Sequence, residues 1–234
     1  MKYYLVCPIG VIGGREDLLT YGSESELTNG VIVKIPFGKQ IKLGVVIKAT
    51  TKPSFVTKPI TASLSEVVPA HLLALSLWMS EFYAVRRSMV LQTMLPSGMG
   101  KSRRSKERPH AGATRTLQHH PLTQEQSDAI QAINSSSAIT HLLHGVTGSG
   151  KTRVYQELAK KTLAEQKSVL VLVPEIALTP QLAAEFESLH HNVLVLHSGL
   201  TEAERHINWQ RLSTRTMGCI GPRSILFSPL HPSV

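Results

Sequence analysis

Over the first 67 positions the apolar residues come in short β-branched runs, KYYLVCPIGV, GVIVKIPFG and LGVVIKATT, separated by clusters of Gly, Asn, Ser and Thr. That pattern predicts strands joined by turns, and hence a small β-rich module of barrel or sandwich type. At Pro69 the rhythm changes. Leu72, Leu73, Leu75, Leu77, Trp78, Phe82 and Tyr83 recur at helical spacing, so HLLALSLWMSEFYAVRR is predicted to form a helix under the sheet. Trp78, Phe82 and Tyr83 are expected in the core rather than as a base-stacking platform. A second short helix through Met89 and Met94 ends before Pro96, with both methionines as core filler.

The stretch GMGKSRRSKERPHAGATRTLQHHP has no period and several Gly, Pro and Ser breakers, which places a domain boundary there. After it, strand and helix alternate. AITHLLHG reads as a strand, TRVYQELAKKTLAEQ as a helix, SVLVLVP as a buried strand, and TPQLAAEFESLHH as a helix. NVLVLH follows as a strand, EAERHINWQRL as a helix and MGCIG as a short strand. Continuous apolar strands alternating with amphipathic helices imply parallel βαβ units, so the fold class is α/β. The expected domains are 1–98, a linker at 99–121, and 122–234.

Composition narrows the classes without choosing among them. The 234 residues are 42% hydrophobic and 18% charged, ordinary for a globular chain and unlike a disordered or collagen-like one. No apolar run approaches a membrane span, and the opening segment reads as a strand rather than a signal peptide, so a cytoplasmic setting is expected. The two cysteines, Cys7 and Cys219, lie in apolar strand-like runs and form neither a disulfide framework nor a CxxC motif. The net charge of +9 is unevenly placed: residues 99–121 hold six Lys/Arg against one Asp/Glu, while 122–234 hold nine of each. Such a stripe suits a nucleic-acid polyanion or is a solvated basic linker. Adjacent histidines at 119–120 and 190–191 cannot converge on one ion from a helix or strand, which disfavours a metal role.

The chemistry is carried by Gly145-Val146-Thr147-Gly148-Ser149-Gly150-Lys151-Thr152, which satisfies GxxxxGK[ST] after a predicted strand and at the start of a predicted helix. The glycines let successive backbone N–H groups face one anion at a helix N-terminus. Lys151 reaches the β- and γ-phosphates of a nucleotide, and Thr152 offers its hydroxyl to Mg²⁺. Upstream, Leu122-Thr123-Gln124-Glu125-Gln126 starts a helix with Thr123 as N-cap, and the Gln126 amide can pair with an adenine edge. Downstream, Pro174-Glu175-Ile176-Ala177-Leu178-Thr179-Pro180-Gln181, Leu196-His197-Ser198-Gly199-Leu200 and Gly221-Pro222-Arg223-Ser224-Ile225-Leu226-Phe227 each follow a strand, where open α/β sheets place ligands.

Together these residues resemble the PriA family of primosomal replication-restart helicases, within helicase superfamily 2. GVTGSGKT resembles the family's motif I, LTQEQ its Q motif and VPEIALTPQ its motif Ia. LHSGL with Glu204-Arg205 and Trp209, and GPRS with LF, resemble the next strand-borne motifs. The resemblance implies a partial RecA-like P-loop lobe in which Gly145 to Thr152 bind ATP and Mg²⁺ and Gln126 contacts adenine. It also implies that Pro174, Glu175, Thr179, Arg223 and Ser224 touch a DNA backbone. Val33-Lys34-Ile35-Pro36-Phe37-Gly38-Lys39-Gln40 with Leu43-Gly44-Val45-Val46 is similar to the family's 3′-DNA-binding domain. There Gly38 and Lys58 would line the pocket for the 3′ end of a nascent strand, with Lys39 as a further DNA-binding residue. Leu19-Thr20-Tyr21 stands where the family has an aromatic-acid pair before a tyrosine.

Two departures accompany the likeness. No winged-helix domain separates the two modules, and the residues after Phe227 do not reach the family's DExH strand, second lobe or cysteine-rich zinc site. The expected function is therefore that of an ATP-driven 3′→5′ DNA helicase of replication restart. The expectation for the isolated chain is salt-sensitive binding of forked or single-stranded DNA, weak nucleotide binding at best and no unwinding. An exposed sheet edge prone to aggregation is expected as well. Primosome proteins and single-strand-binding protein are partners by resemblance only. An ATP-independent DNA-binding module with a vestigial P-loop is the alternative. A small-molecule P-loop kinase is disfavoured, because no lid-like arginine cluster follows the loop.

Overall fold

The computed structural model describes residues 1–11, 17–100, 121–174, 178–188, 193–215 and 217–230. They fall into two compact units. The first comprises Met1–Arg104, Leu200–Ser213 and Phe227–Pro229, and the second Ser105–Gly199, Thr214–Leu226 and Leu230–Val234.

In the first unit, β1 (Lys2–Pro8), β2 (Leu19–Ser23), β3 (Val31–Phe37), β4 (Gln40–Thr50), β5 (Lys58–Pro59) and β6 (Ala62–Val67) form one sheet in the order β5-β2-β1-β4-β3-β6. All neighbours are antiparallel except β2 and β5. The period-2 geometry of a strand sorts its side chains onto two faces. Tyr4, Val6, Tyr21, Val31, Val33, Ile35 and Val46 make one buried cluster. Cys7, Ile32 and Val45 point the other way, into a cluster with Val68, Leu72, Val90, Leu91, Met94 and Trp209. Both faces are thus covered, which is why the runs read as continuously apolar rather than alternating.

Two helices pack beside this sheet, α1 (Ala70–Phe82) and α2 (Arg87–Met94). They are joined by a buried guanidinium. Arg87 donates from Nε to Ser76 Oγ at 2.9 Å and from Nη2 to the Leu73 carbonyl at 2.8 Å. Among the described residues α1 buries only Leu72 and Ser76. Trp78, Phe82 and Tyr83 are 52%, 66% and 58% exposed, which corrects the expectation that they fill the core. Their rings pack on one another instead: Trp78 stacks on Phe82 at 4.9 Å and Tyr83 meets both edge-on, at 6.3 and 4.9 Å. The reason is helical phase: at about 100° per residue, Trp78 lies about 140° and Phe82 about 100° round the helix from the direction in which Leu72 and Ser76 point inward. Met94 is core as expected.

The second unit contains α3 (Gln124–Ser135), α4 (Lys151–Ala164), β7 (Val169–Leu172), α5 (Pro180–Glu187), β8 (Val193–Val195) and β9 (Gly218–Gly221). Its strands are parallel in the order β7-β9-β8, as the βαβ reading requires. Ala159, Phe186 and Ile220 form the centre of its core. Helix α6 (Glu202–Thr214) lies between β8 and β9 in sequence, and all but its last residue belongs to the first unit. The expected strand AITHLLHG is not formed: residues 138–144 carry no ladder, and Ile139 and Leu142 are 102% and 92% exposed. Apolar β-formers become a strand only by pairing, and this segment has no strand partner among the described residues.

Glu66 of β6 anchors α6 within the first unit. Its Oε1 lies 2.8 Å from His206 Nε2 and accepts a hydrogen bond from Gln210 Nε2 at 2.8 Å. Burial pushes this carboxyl up, but hydrogen bonds from His206, Gln210 and its own backbone, with the His206 charge, together hold it below its ordinary 4.5. Because the folded-state value is depressed, the charged Glu66 stabilises the fold above the unfolded-state value. That contribution disappears as the pH falls through the folded-state one. Thermal melts from pH 7 to pH 3 should therefore show a smaller acid-induced loss in Glu66→Gln than in the wild type; parallel profiles would rule the contact out as a stabiliser. Ile35 is fully buried, and urea unfolding of Ile35→Ala should register a loss of about 2–5 kcal/mol.

Candidate nucleotide and DNA site

Local chemistry builds the nucleotide loop. Thr123 caps α3 through a reciprocal box: its Oγ1 accepts from Gln126 N at 3.3 Å, and Gln126 Oε1 accepts from Thr123 N at 3.1 Å. The other end of the same amide reaches across the unit, where Gln126 Nε2 donates to the Gly150 carbonyl at 3.3 Å. Gly150 is the N-cap of α4, in the left-handed region at φ 82°. The left-handed backbone there favours glycine, and a Cβ would in addition push the Gln126 amide off its contact. The expectation that Gln126 faces an adenine is thus joined by a contact to the loop itself.

No side chain caps α4, in contrast to α3 and to α5, whose N-cap Thr179 accepts from Leu182 N at 3.2 Å. The first N–H groups of α4 are left for an anion. Thr147, Gly148, Ser149 and Thr152 are exposed, and a Cβ on Gly148 would meet nothing within 4 Å, so the mouth of the loop is open. Lys151 folds back on the loop, its Nζ donating to the carbonyls of Gly145 and Val146 at 2.8 Å each. An ammonium there holds the loop curled, and it can turn outward to a phosphate by exchanging those two acceptors. The donor set fits a nucleotide phosphate chain: bare helix N–H groups, one ammonium and one threonine hydroxyl for a phosphate-bound Mg²⁺.

Pro174 and the pair Arg223–Ser224 follow the carboxyl ends of β7 and β9, which are neighbours in the sheet with Leu172 opposite Gly221. The structure therefore brings these two loops to one sheet edge, with Arg223 and Ser224 exposed. Glu175 lies outside the described residues, as do most of the 99–121 linker (101–120) and the histidine pairs at 119–120 and 190–191.

In the first unit, Gly38 and Lys39 form the tight turn between β3 and β4, closed by the Phe37–Gln40 pair. Gly38 has φ 58° and open space around it, so backbone conformation rather than crowding within the protein demands glycine. Lys58 lies opposite Tyr21 in the β2–β5 register, and Tyr21 donates from its hydroxyl to the Pro36 carbonyl at 3.1 Å. That bond ties the strand beside Lys58 to the strand entering the Gly38 turn. Lys39 and Lys58 are both exposed. Sequence reasoning missed the exposed aromatic cluster on α1, because an apolar residue on nearly every side of the helix hides which side faces inward.

Among the described residues no cluster of three or more His, Cys, Asp and Glu is placed to hold a metal ion, and no helix is long and apolar enough to cross a membrane. Comparison with known proteins agrees with the motifs. Residues 5–96 match the PriA 3′DNA-binding domain (3′BD), and residues 123–230 match the DEAD/DEAH box helicase family. Replication restart protein PriA of Helicobacter pylori (strain ATCC 700392 / 26695) is 31% identical over 233 residues, covering 98% of this chain and 35% of that protein. The PriA of Treponema pallidum (strain Nichols) is 35% identical over 85% of the chain and 32% of its own length. That of Bacillus subtilis (strain 168) is 42% identical over 47% of the chain and 14% of its own length. The chain thus spans 35% of the length of the relative that it matches over 98% of its own residues. In domain content and order the chain resembles these PriA proteins: residues matched to a 3′ DNA-binding domain are followed by residues matched to a DEAD/DEAH box helicase.

Proposed function

We propose that this chain supplies the DNA-end-binding and nucleotide-binding parts of an ATP-dependent 3′→5′ DNA helicase that acts in replication restart. The observation that carries the reading is the uncapped α4 N-terminus behind an open glycine loop, in the same chain as a 3′ DNA-binding domain. Gly145 to Thr152 cradle the phosphates of ATP, with Lys151 on the outer phosphates and Thr152 on Mg²⁺. Gln126 reads the adenine while bracing Gly150. Pro174, Glu175, Thr179, Arg223 and Ser224 follow a DNA backbone, Gly38 and Lys58 receive the 3′ end of a strand, and Lys39 adds a DNA contact. The domains are 1–98 and 122–234, with 99–121 as a basic linker that adds phosphate contacts. Primosome proteins and single-strand-binding protein are the proposed partners.

The 234 residues contain no Asp-Glu-x-His sequence, and a phosphoryl-transfer site needs a carboxylate to orient the attacking water and hold the metal. By themselves they are proposed to bind DNA and nucleotide without unwinding a duplex. One observation favours a second reading, an ATP-independent DNA-binding module with a vestigial loop: the Lys151 ammonium is already satisfied by two loop carbonyls.

Lys151→Ala separates the two. In the first reading, equilibrium binding of fluorescent ATP weakens by roughly 10–100-fold, the value of a lost charge-assisted contact, while DNA binding in anisotropy titrations is unchanged. Wild type and variant with equal nucleotide binding would establish the vestigial reading. Gly150→Val should weaken nucleotide binding at least as much, because it displaces Gln126 and strains the N-cap, while leaving the first unit's DNA affinity intact. Unwinding of a forked duplex by the purified chain would contradict the proposal for the isolated residues.

A further inference from the structure

The loop between β4 and β5, residues 51–57, carries two apolar side chains that neither core uses. Phe55 is 60% exposed and Val56 98% exposed. Lys52 and Lys58 flank them, both exposed, and neither makes a salt bridge among the described residues. The loop runs straight into β5, where Lys58 and Pro59 pair with Tyr21 and Gly22 of β2. Thr57 Oγ1 lies 3.5 Å from where a Cβ on Gly22 would stand, so the end of the loop is packed against the sheet. Phe55 is therefore an aromatic ring presented three residues before a cation, beside the edge strand of a domain matched to 3′ DNA binding.

A ring that stays in water, with an exposed lysine three residues before it and another three residues after it, suits a ligand with an apolar planar face and regularly spaced anions. A single DNA strand offers both, since every base has a π-face whatever its sequence and every linkage a phosphate. We propose that Phe55 is a base-stacking contact for single-stranded DNA, with Lys52 on a neighbouring phosphate. The assignment rests on the DNA-binding reading of the first unit. It makes the β4–β5 loop a second point of attachment beside the Gly38 turn, one that holds the strand by a base rather than by its terminus.

The test is anisotropy titration of the full chain with a 5′-labelled oligothymidylate bearing a free 3′-hydroxyl, and with the same strand carrying abasic positions next to that end. Phe55→Ala should weaken binding to the intact strand roughly tenfold and change the abasic strand little. Lys52→Ala should weaken both strands alike and reduce the salt dependence. Phe55→Trp should retain affinity, and its added fluorescence, read against the wild type, should be quenched by bound DNA. Equal affinity of wild type and Phe55→Ala for the intact strand overturns the inference while leaving the DNA reading standing. No binding by the wild type overturns both. Phe55-dependent co-sedimentation with anionic phospholipid vesicles, or a Phe55-dependent dimer without DNA, also overturns it, by assigning the ring to a lipid surface or a second copy. Phe55 is outside the core, so circular dichroism should find every variant folded.

Discussion

Backbone N–H and C=O groups must find partners, and where this chain finds them decides both what is rigid and what is left for a ligand. In the first unit the sheet ladders satisfy them, with β1 held on both sides by β2 and β4. In the second unit α3 and α5 close their own N-termini with Thr123 and Thr179. Only then does α4 stand out, because its N-terminus follows a glycine that has no side chain to cap it. The nucleotide loop is thus an unmet backbone requirement kept in place by met ones. The Gln126 amide is the link, since it completes one cap and holds the glycine of the next.

The two faces of the N-terminal sheet obey a different demand. One is filled by residues of the strands themselves and the other by helices, including Trp209 from far along the chain. Three lysines, Lys34, Lys42 and Lys48, lie on β3 and β4, and further cations stand at turns and edges: Lys39 beside Gly38, Lys58 on β5 and Lys52 in the loop before it. A strand of DNA can approach such a rim without displacing any core residue, which is how a small domain can bind an anion and remain stable.

Much of this was legible in the sequence because it is local. The β-branched runs, the glycine loop opening a helix, the Thr123 cap and the alternation of strand and helix after residue 145 depend on neighbours within a few positions. What was not legible depends on distant partners. Residues 138–144 have the composition of a strand, but a strand is a property of two segments, and none among the described residues pairs with them. The Glu66–His206 contact joins positions 140 apart, and no periodicity in either segment announces it. Trp78, Phe82 and Tyr83 misled for a third reason: on a helix apolar nearly all round, spacing identifies the helix but not the side that faces inward.

The cysteines lend themselves to a use unrelated to function. Cys7 sits in β1 of the first unit and Cys219 in β9 of the second, each reduced and almost wholly enclosed. Burial pushes the Cys7 thiol up to about 12, so in the closed state it offers hardly any thiolate to an electrophile. Each unit therefore carries one native label that reacts only when its own interior opens. Alkylation followed by peptide mapping would time the breathing of the two halves separately in a single unmodified sample.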